Sequence, residues 1–320
     1  MEALKEQKTA YYLCQKDRVY RDKTLTSLYF KSNKQQVEKK SRPIDIDGIR
    51  YKENLETGEL EFYTKSEILN SMGCSLRRTK ILMNMLLEMN DFDWFATLTF
   101  DKAKIDRTND ELVYNAYKKY INNIKHQFPS FKYLTVLERH EDGCIHFHLL
   151  ISGLTPKQLG LVNSGKVCCS WAFYKDKIAS KEYFERTKHL HEHELQETDG
   201  LPIYNVTTFP YGLTTVTRIA SRERCNSYVK KYINKDIGKS TEIFKKRFFY
   251  SSNLNVPDIV ERIIGADFET PKNIYNYMSE NLHLQNSDYL NYNKDHNVLQ
   301  YWEDNQIKEN INNGLIPLNL

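Results

Sequence analysis

The chain has 320 residues, with 46 Lys and Arg against 42 Asp and Glu, so its net charge of +4 singles out no class of partner. Its hydrophobic share of 40% and aromatic share of 12% can fill a core, which excludes a chain disordered throughout. No apolar run approaches the roughly 20 residues of a membrane helix, and the N-terminus MEALKEQKTAYY has no apolar signal core, so a soluble intracellular protein with no membrane partner is expected. The six cysteines (14, 74, 144, 168, 169, 225) form no C-x-x-C pair and read as reduced packing residues.

Residues 1–43 carry eleven Lys or Arg against five Asp or Glu, with little apolar periodicity. Short strand-like runs occupy Ile44 to Thr64 around a turn at Glu56-Thr57-Gly58. Ser66–Asn90 reads as helical, with Ser75 as an N-cap after a break at Gly73-Cys74. Trp94–Phe100 (WFATLTF) alternates and is rich in aromatic and β-branched residues, which predicts a strand. The apolar stripe of Asn109–Phe128 predicts a helix. Strands follow at Tyr133–Glu138 and Ile145–Ser152, joined by a turn at Glu141-Asp142-Gly143.

A less regular stretch, 153–200, contains a helix from Ser180 and the run His189, His191, His193. Gly212–Ile219 predicts a strand and Ser221–Ile237 a helix capped by Ser221, followed by the basic aromatic segment KKRFFYSSNL. The last fifty residues hold twelve Asn, three Lys and six Asp or Glu, and read as a separate appendage, partly helical around Ile274–Leu284. The chain therefore divides into a basic extension with a helical lead-in (1–90), a central unit (91–255) and an Asn-rich appendage (256–320). The fold class is α+β.

The most specific chemistry lies in His146-Phe147-His148. On a strand, alternate residues share a face, so both imidazoles point the same way. If the turn sets His140 opposite Cys144, Glu138 falls opposite His146; a slip of one residue would send it to the other face. Imidazole and carboxylate ligands without thiolate favour Mg²⁺ or Mn²⁺ over structural zinc. The triplet His189, His191, His193 lies in a charged segment of helical character, where i and i+2 side chains diverge, and reads as a solvated face.

Ser227–Asp236 (SYVKKYINKD) places Tyr228, Tyr232 and Lys235 on one helix face, and Lys231 one turn from Tyr228. A phenol, with a pKa of about 10, is a poor nucleophile at neutral pH. An adjacent ammonium favours phenolate, while a metal on a phosphate polarises the electrophile. Together these parts suit transesterification.

Three segments in fixed order, WFATLTF, the glycine turn with HFHLL, and YVKKYINK, resemble the motifs of the HUH endonuclease superfamily, specifically the rolling-circle replication initiators of phages and plasmids. The likeness runs from about Ser75 to Leu254. It implies a central antiparallel β-sheet flanked by helices, an RRM-like palm, with helical N- and C-terminal extensions. It implies strand-specific nicking of single-stranded origin DNA in a bacterial host cytoplasm, through a tyrosine joined to the 5′ phosphate, and a later rejoining step. His146 and His148 match its metal ligands, Glu138 the upstream polar ligand, Tyr228 and Tyr232 the two tyrosines, and Lys231 and Lys235 the accompanying basic positions.

Residues 211–250 hold ten Lys or Arg against three Asp or Glu, namely Arg218, Arg222, Arg224, Lys230, Lys231, Lys235, Lys239, Lys245, Lys246 and Arg247 on the basic side. Interleaved with Tyr228, Tyr232, Phe248, Phe249 and Tyr250, they suit unpaired DNA, with cations along phosphates and rings on bases. Residues 1–43 either add duplex affinity or serve as a solubilising arm. No G-x-x-x-x-G-K-[ST] loop is present, so unwinding and synthesis would fall to a host helicase and DNA polymerase. A single-strand transposase or mobilisation relaxase would use the same chemistry, and a noncatalytic DNA-binding regulator would need the histidines and tyrosines for neither.

Overall fold

The structure, a computed structural model, describes residues 10–32, 44–46, 49–53, 59–140, 142–171, 178–237, 248–281, 291–294 and 297–304. They fall into two units, one formed by Met1–Asn70 and Val256–Leu320, the other by Ser71–Asn255. The sequence reading instead divides the chain at 90 and 255.

The first unit begins with β1 (Tyr11–Val19) and β2 (Lys23–Ser32), an antiparallel hairpin. A small antiparallel sheet of β3 (Ile44–Ile46), β4 (Ile49–Glu53) and β5 (Leu60–Phe62) follows, as the strand-like runs predict; the turn at 56–58 lies outside the described residues. Next comes α1 (Lys65–Met89), a continuous helix that corrects the expected break before Ser75. Gly73 is exposed with open space where a Cβ would stand, and one interior glycine costs a helix only about 1 kcal/mol.

In the second unit the order is β6 (Trp94–Phe100), α2 (Asp110–Gln127), β7 (Lys132–Arg139), β8 (Ile145–Ser152), β9 (Leu161–Cys168), β10 (Ile178–Ser180), α3 (Lys181–Thr187), a 3-10 turn over Lys188–Glu194, β11 (Pro202–Val206), β12 (Gly212–Arg218), α4 (Arg222–Ile237) and β13 (Phe248–Tyr250). The strands form one antiparallel sheet in the order β10-β9-β11-β12-β6-β8-β7-β13. The α+β class and the central place of WFATLTF and HFHLL are as expected. Asn109 caps α2 by accepting from the Leu112 N–H, and Ser180 caps α3 by accepting from the Tyr183 N–H.

One face of this sheet packs on α2. Trp94, Ala96, Leu98 and Phe100 of β6 and Ile145, Phe147, Leu149 and Ile151 of β8 meet Val113, Tyr117, Tyr120 and Ile121. The Phe147 ring lies flat on Tyr117, centroids 4.2 Å apart and planes 2° from parallel. The other face packs partly on α1 and α4, through Leu134, Val136 and Leu150 against Met83, Leu86, Leu87 and Val229.

The chain then returns to the first unit as β14 (Asp258–Phe268), α5 (Ile274–Asn281), β15 (Asn291–Asn293) and β16 (Val298–Asp304). β14 pairs with β1 and β16 with β2, giving a five-stranded sheet, β14-β1-β2-β16-β15, with a core of Leu13, Leu28, Ile274, Met278 and Leu299. This corrects the expectation of helical extensions: α5 lies where a helix is expected, but both ends are chiefly strand. Apolar periodicity is hidden because buried positions here are polar. Asp17 is 6% exposed and accepts from Gln15 Nε2 and Thr26 Oγ1, at 2.9 and 2.8 Å. All six cysteines are free. Among the described residues no helix is long and apolar enough to cross a membrane.

Candidate active site

The face opposite α2 gathers the residues with chemistry. β7 and β8 pair with Glu138 opposite His146 and Val136 opposite His148, the register that the turn implies. His140 donates its backbone N–H to the Cys144 carbonyl at 2.9 Å, and Gly143, at φ +82°, takes the left-handed conformation that closes the turn. Arg139 braces the turn, donating to the Gly143 carbonyl at 2.6 Å and to Asp110 of α2 at 2.5 Å. Glu138, His140, His146 and His148 therefore share one face in two adjacent rows.

Contacts within this group run along the diagonals. Glu138 Oε2 lies 2.9 Å from His148 Nε2, although His146 stands directly opposite it. The His146 ring instead lies against His140, with centroids 4.0 Å apart and planes 23° from parallel. β6 supplies a third row: Thr97 is opposite His148 and Thr99 opposite His146. Their hydroxyls stand 3.0 Å from His148 Nδ1 and 3.4 Å from His146 Nδ1. Sequence reasoning missed Thr97, Thr99 and the ring contact of His140. The signal was available in the odd positions of WFATLTF, which share a face once β6 is set beside β8.

Charge in this cluster follows from burial. The His146 imidazole is pushed down to about 4, first by desolvation and then by the neighbouring His140 and His148 rings, so it is neutral at neutral pH. A carboxylate only accepts, so its bond to Glu138 places a proton on His148 Nε2, and a neutral His148 then accepts at Nδ1 from Thr97. The Thr97 hydroxyl also serves the other tautomer, by accepting from Nδ1–H, which frees the Nε2 lone pair. The donor set of Glu138, His146 and His148 therefore fits a divalent cation. Among the described residues, no three His, Cys, Asp or Glu side chains converge as a set that could hold a metal ion.

Tyr228 projects from α4 with 46% of its surface exposed and meets the Phe95 ring edge-on, centroids 5.5 Å apart. Phe95 stacks on His148 at 5.8 Å, so a single ring separates the phenol from the histidine cluster. α4 is docked on the C-terminal end of α1. Arg222 donates to the carbonyls of Leu87, at 3.2 Å, and Glu88, and it pairs with Asp91 at 3.4 Å. Asn226, one turn on, donates to the Leu87 carbonyl at 3.4 Å, and Lys230 pairs with Glu88 at 3.6 Å. The end of a helix exposes unpaired carbonyls with partial negative charge, which is what a guanidinium and an ammonium satisfy.

The basic residues expected along DNA are thus divided. Arg222 and Lys230 brace α1, Arg224 is exposed, and Arg218 lies over the Trp94 ring at 5.3 Å, on the α2 face away from the histidines. Lys231, Tyr232 and Lys235 continue α4, and their side chains lie outside what is described, as do Lys245, Lys246 and Arg247 entirely. The 3-10 turn keeps His191 against Trp171, with centroids 5.0 Å apart, and His193 exposed, in keeping with a solvated face.

Residues 93–237 match the family model of Replication-associated protein ORF2, a family of replication initiators. No curated protein and no solved structure matches the chain. The matched span contains β6, the histidine pair and α4, and the likeness supports a replication-associated protein with a role in replication initiation.

Proposed function

We propose that the histidine face and α4 form a metal-dependent centre that nicks and rejoins single-stranded origin DNA, in a rolling-circle replication initiator of the HUH endonuclease type. The observation that carries this reading is the Phe95 ring between Tyr228 and His148, which sets a solvent-facing phenol beside an imidazole–carboxylate pair. The Tyr228 oxygen attacks the scissile phosphorus and loses its proton to solvent. The bond from phosphorus to the 3′ oxygen breaks, that oxygen takes up a proton, and the 5′ phosphate stays on the tyrosine. A Mg²⁺ or Mn²⁺ ion held by Glu138, His146 and His148 would draw charge from the phosphate oxygens. Thr97 and Thr99 orient the two imidazoles, and the buried, neutral His146 offers a lone pair at neutral pH. Tyr232, one turn along α4, is the candidate for the second transfer, and a host helicase and polymerase would supply unwinding and synthesis.

The test is incubation of the full chain with oligonucleotides tiling its own replicon, in Mn²⁺, followed by a denaturing gel. A protein–DNA adduct at one sequence is expected. Absence of an adduct across the whole tiling would overturn the enzymatic reading.

A further inference from the structure

His140 is assigned no role by the pairing of Glu138 with the two histidines, yet its ring makes the closest contact that His146 has with another ring. The two imidazoles lie 4.0 Å apart at 23°, and His140 Nε2 stands 4.0 Å from Glu138 Oε2. We propose that His140 is a positioning residue of this centre. By lying flat on His146 it holds that ring in one orientation and tightens divalent-cation binding, without giving a bond to the ion. This inference rests on the metal reading above.

Three observations carry it. The first is the direction of the lone pairs. An imidazole nitrogen offers its pair in the plane of the ring, so two rings stacked nearly parallel aim their pairs side by side rather than at one point. Stacking geometry therefore favours support over ligation.

The second is an asymmetry between the two histidines. His148 is 6% exposed and is held at both nitrogens, by Thr97 at 3.0 Å and Glu138 at 2.9 Å. His146 has only the longer 3.4 Å approach of Thr99 at Nδ1. Its ring is the less restrained of the pair, and a flat neighbour supplies what the hydrogen bonds do not.

The third is that His140, though its side chain is half exposed, stands on a braced turn. Its N–H bonds the Cys144 carbonyl at 2.9 Å, its own carbonyl accepts from Gly143 at 3.0 Å, and Arg139 fastens Gly143 to the strand. The ring is thus presented at a fixed place rather than from a loose loop.

The experiment is Mn²⁺ binding to the full chain by calorimetry, with no DNA present, for the wild type and for His140→Phe, His140→Ala and His146→Ala. Phenylalanine keeps the flat face and lacks the nitrogens. His140→Phe should bind within about twofold of the wild type, and His140→Ala about tenfold more weakly, the low end for loss of a group that orients a ligand. Equal weakening in both variants would make the nitrogen a ligand and overturn the positioning role. Wild-type affinity in His140→Ala would overturn it as well. A wild type whose Mn²⁺ binding is absent, or unchanged in His146→Ala, would instead overturn the metal reading, and the positioning role with it.

Discussion

On β6, Trp94, Ala96, Leu98 and Phe100 enter the core beneath α2, whereas Phe95, Thr97 and Thr99, the residues between them, turn to the histidine face. β8 divides likewise, with Phe147 and Leu149 on one side and His146 and His148 on the other. The α2 face is held by close-packed rings. The histidine face is held by hydrogen bonds and stacked imidazoles, with helices covering only part of it. Period-two geometry lets neighbouring residues of one strand serve rigidity and chemistry separately, so damage to one face should show in a different measurement from damage to the other.

The largest effect is expected at the nucleophile. Tyr228→Phe should abolish the first covalent adduct on a denaturing gel while the urea midpoint stays near the wild type, because the ring keeps its edge contact with Phe95. An adduct of undiminished yield would take Tyr228 out of the reaction. Phe147→Ala should do the converse. Removing a fully buried ring that stacks on Tyr117 should cost about 3–5 kcal/mol in denaturant unfolding, although the residue touches no DNA.

A smaller contrast lies between two arginines. Arg222→Ala leaves the last carbonyls of α1 without their donor and should cost about 1–3 kcal/mol, with slower adduct formation as α4 loses its seat. Arg218→Ala, which loses a contact with the outer end of Trp94, should cost no more than about 1 kcal/mol and leave the adduct yield unchanged. Equal losses in the two would mean that α4 is not seated through Arg222.

The smallest effect is one of pH. His146 has its folded pKa near 4, below the ordinary 6.5, so between these values the unfolded chain holds a proton that the folded chain lacks. Stability should therefore fall as pH drops from 6.5 to about 4, and His146→Gln should show a shallower decline. Urea midpoints at the two ends of that window test this, and parallel declines would remove His146 as a source.

Much of the second unit was legible in the chain because its faces are chemically clean. β6, α2, β7 and β8 follow from alternation and one apolar stripe, and a single glycine turn sets Glu138 opposite His146. The diagonal contacts were not legible, since register fixes which residues face each other but not which way a carboxylate leans. Nor was the work of Arg222 and Lys230. A cation on a helix reads as a DNA contact until another helix is known to end beside it. The first unit hid for a different reason, its buried face carrying Asp17, Thr24 and Thr26 where apolar residues mark a strand.

That first unit has a bearing on synthesis. Tyr11 pairs with Phe268, and Leu25 with Trp302, so β1 and β2 emerge from the ribosome long before the strands that complete their sheet. In the interval the entire Ser71–Asn255 unit is made, and every strand pair of its sheet lies within that span. The early hairpin waits with both edges open while the middle of the chain closes its own, and distant pairings of this kind are the slow ones to form. Translation order thus favours a nicking unit that is finished first, carried between two halves of a sheet that closes last.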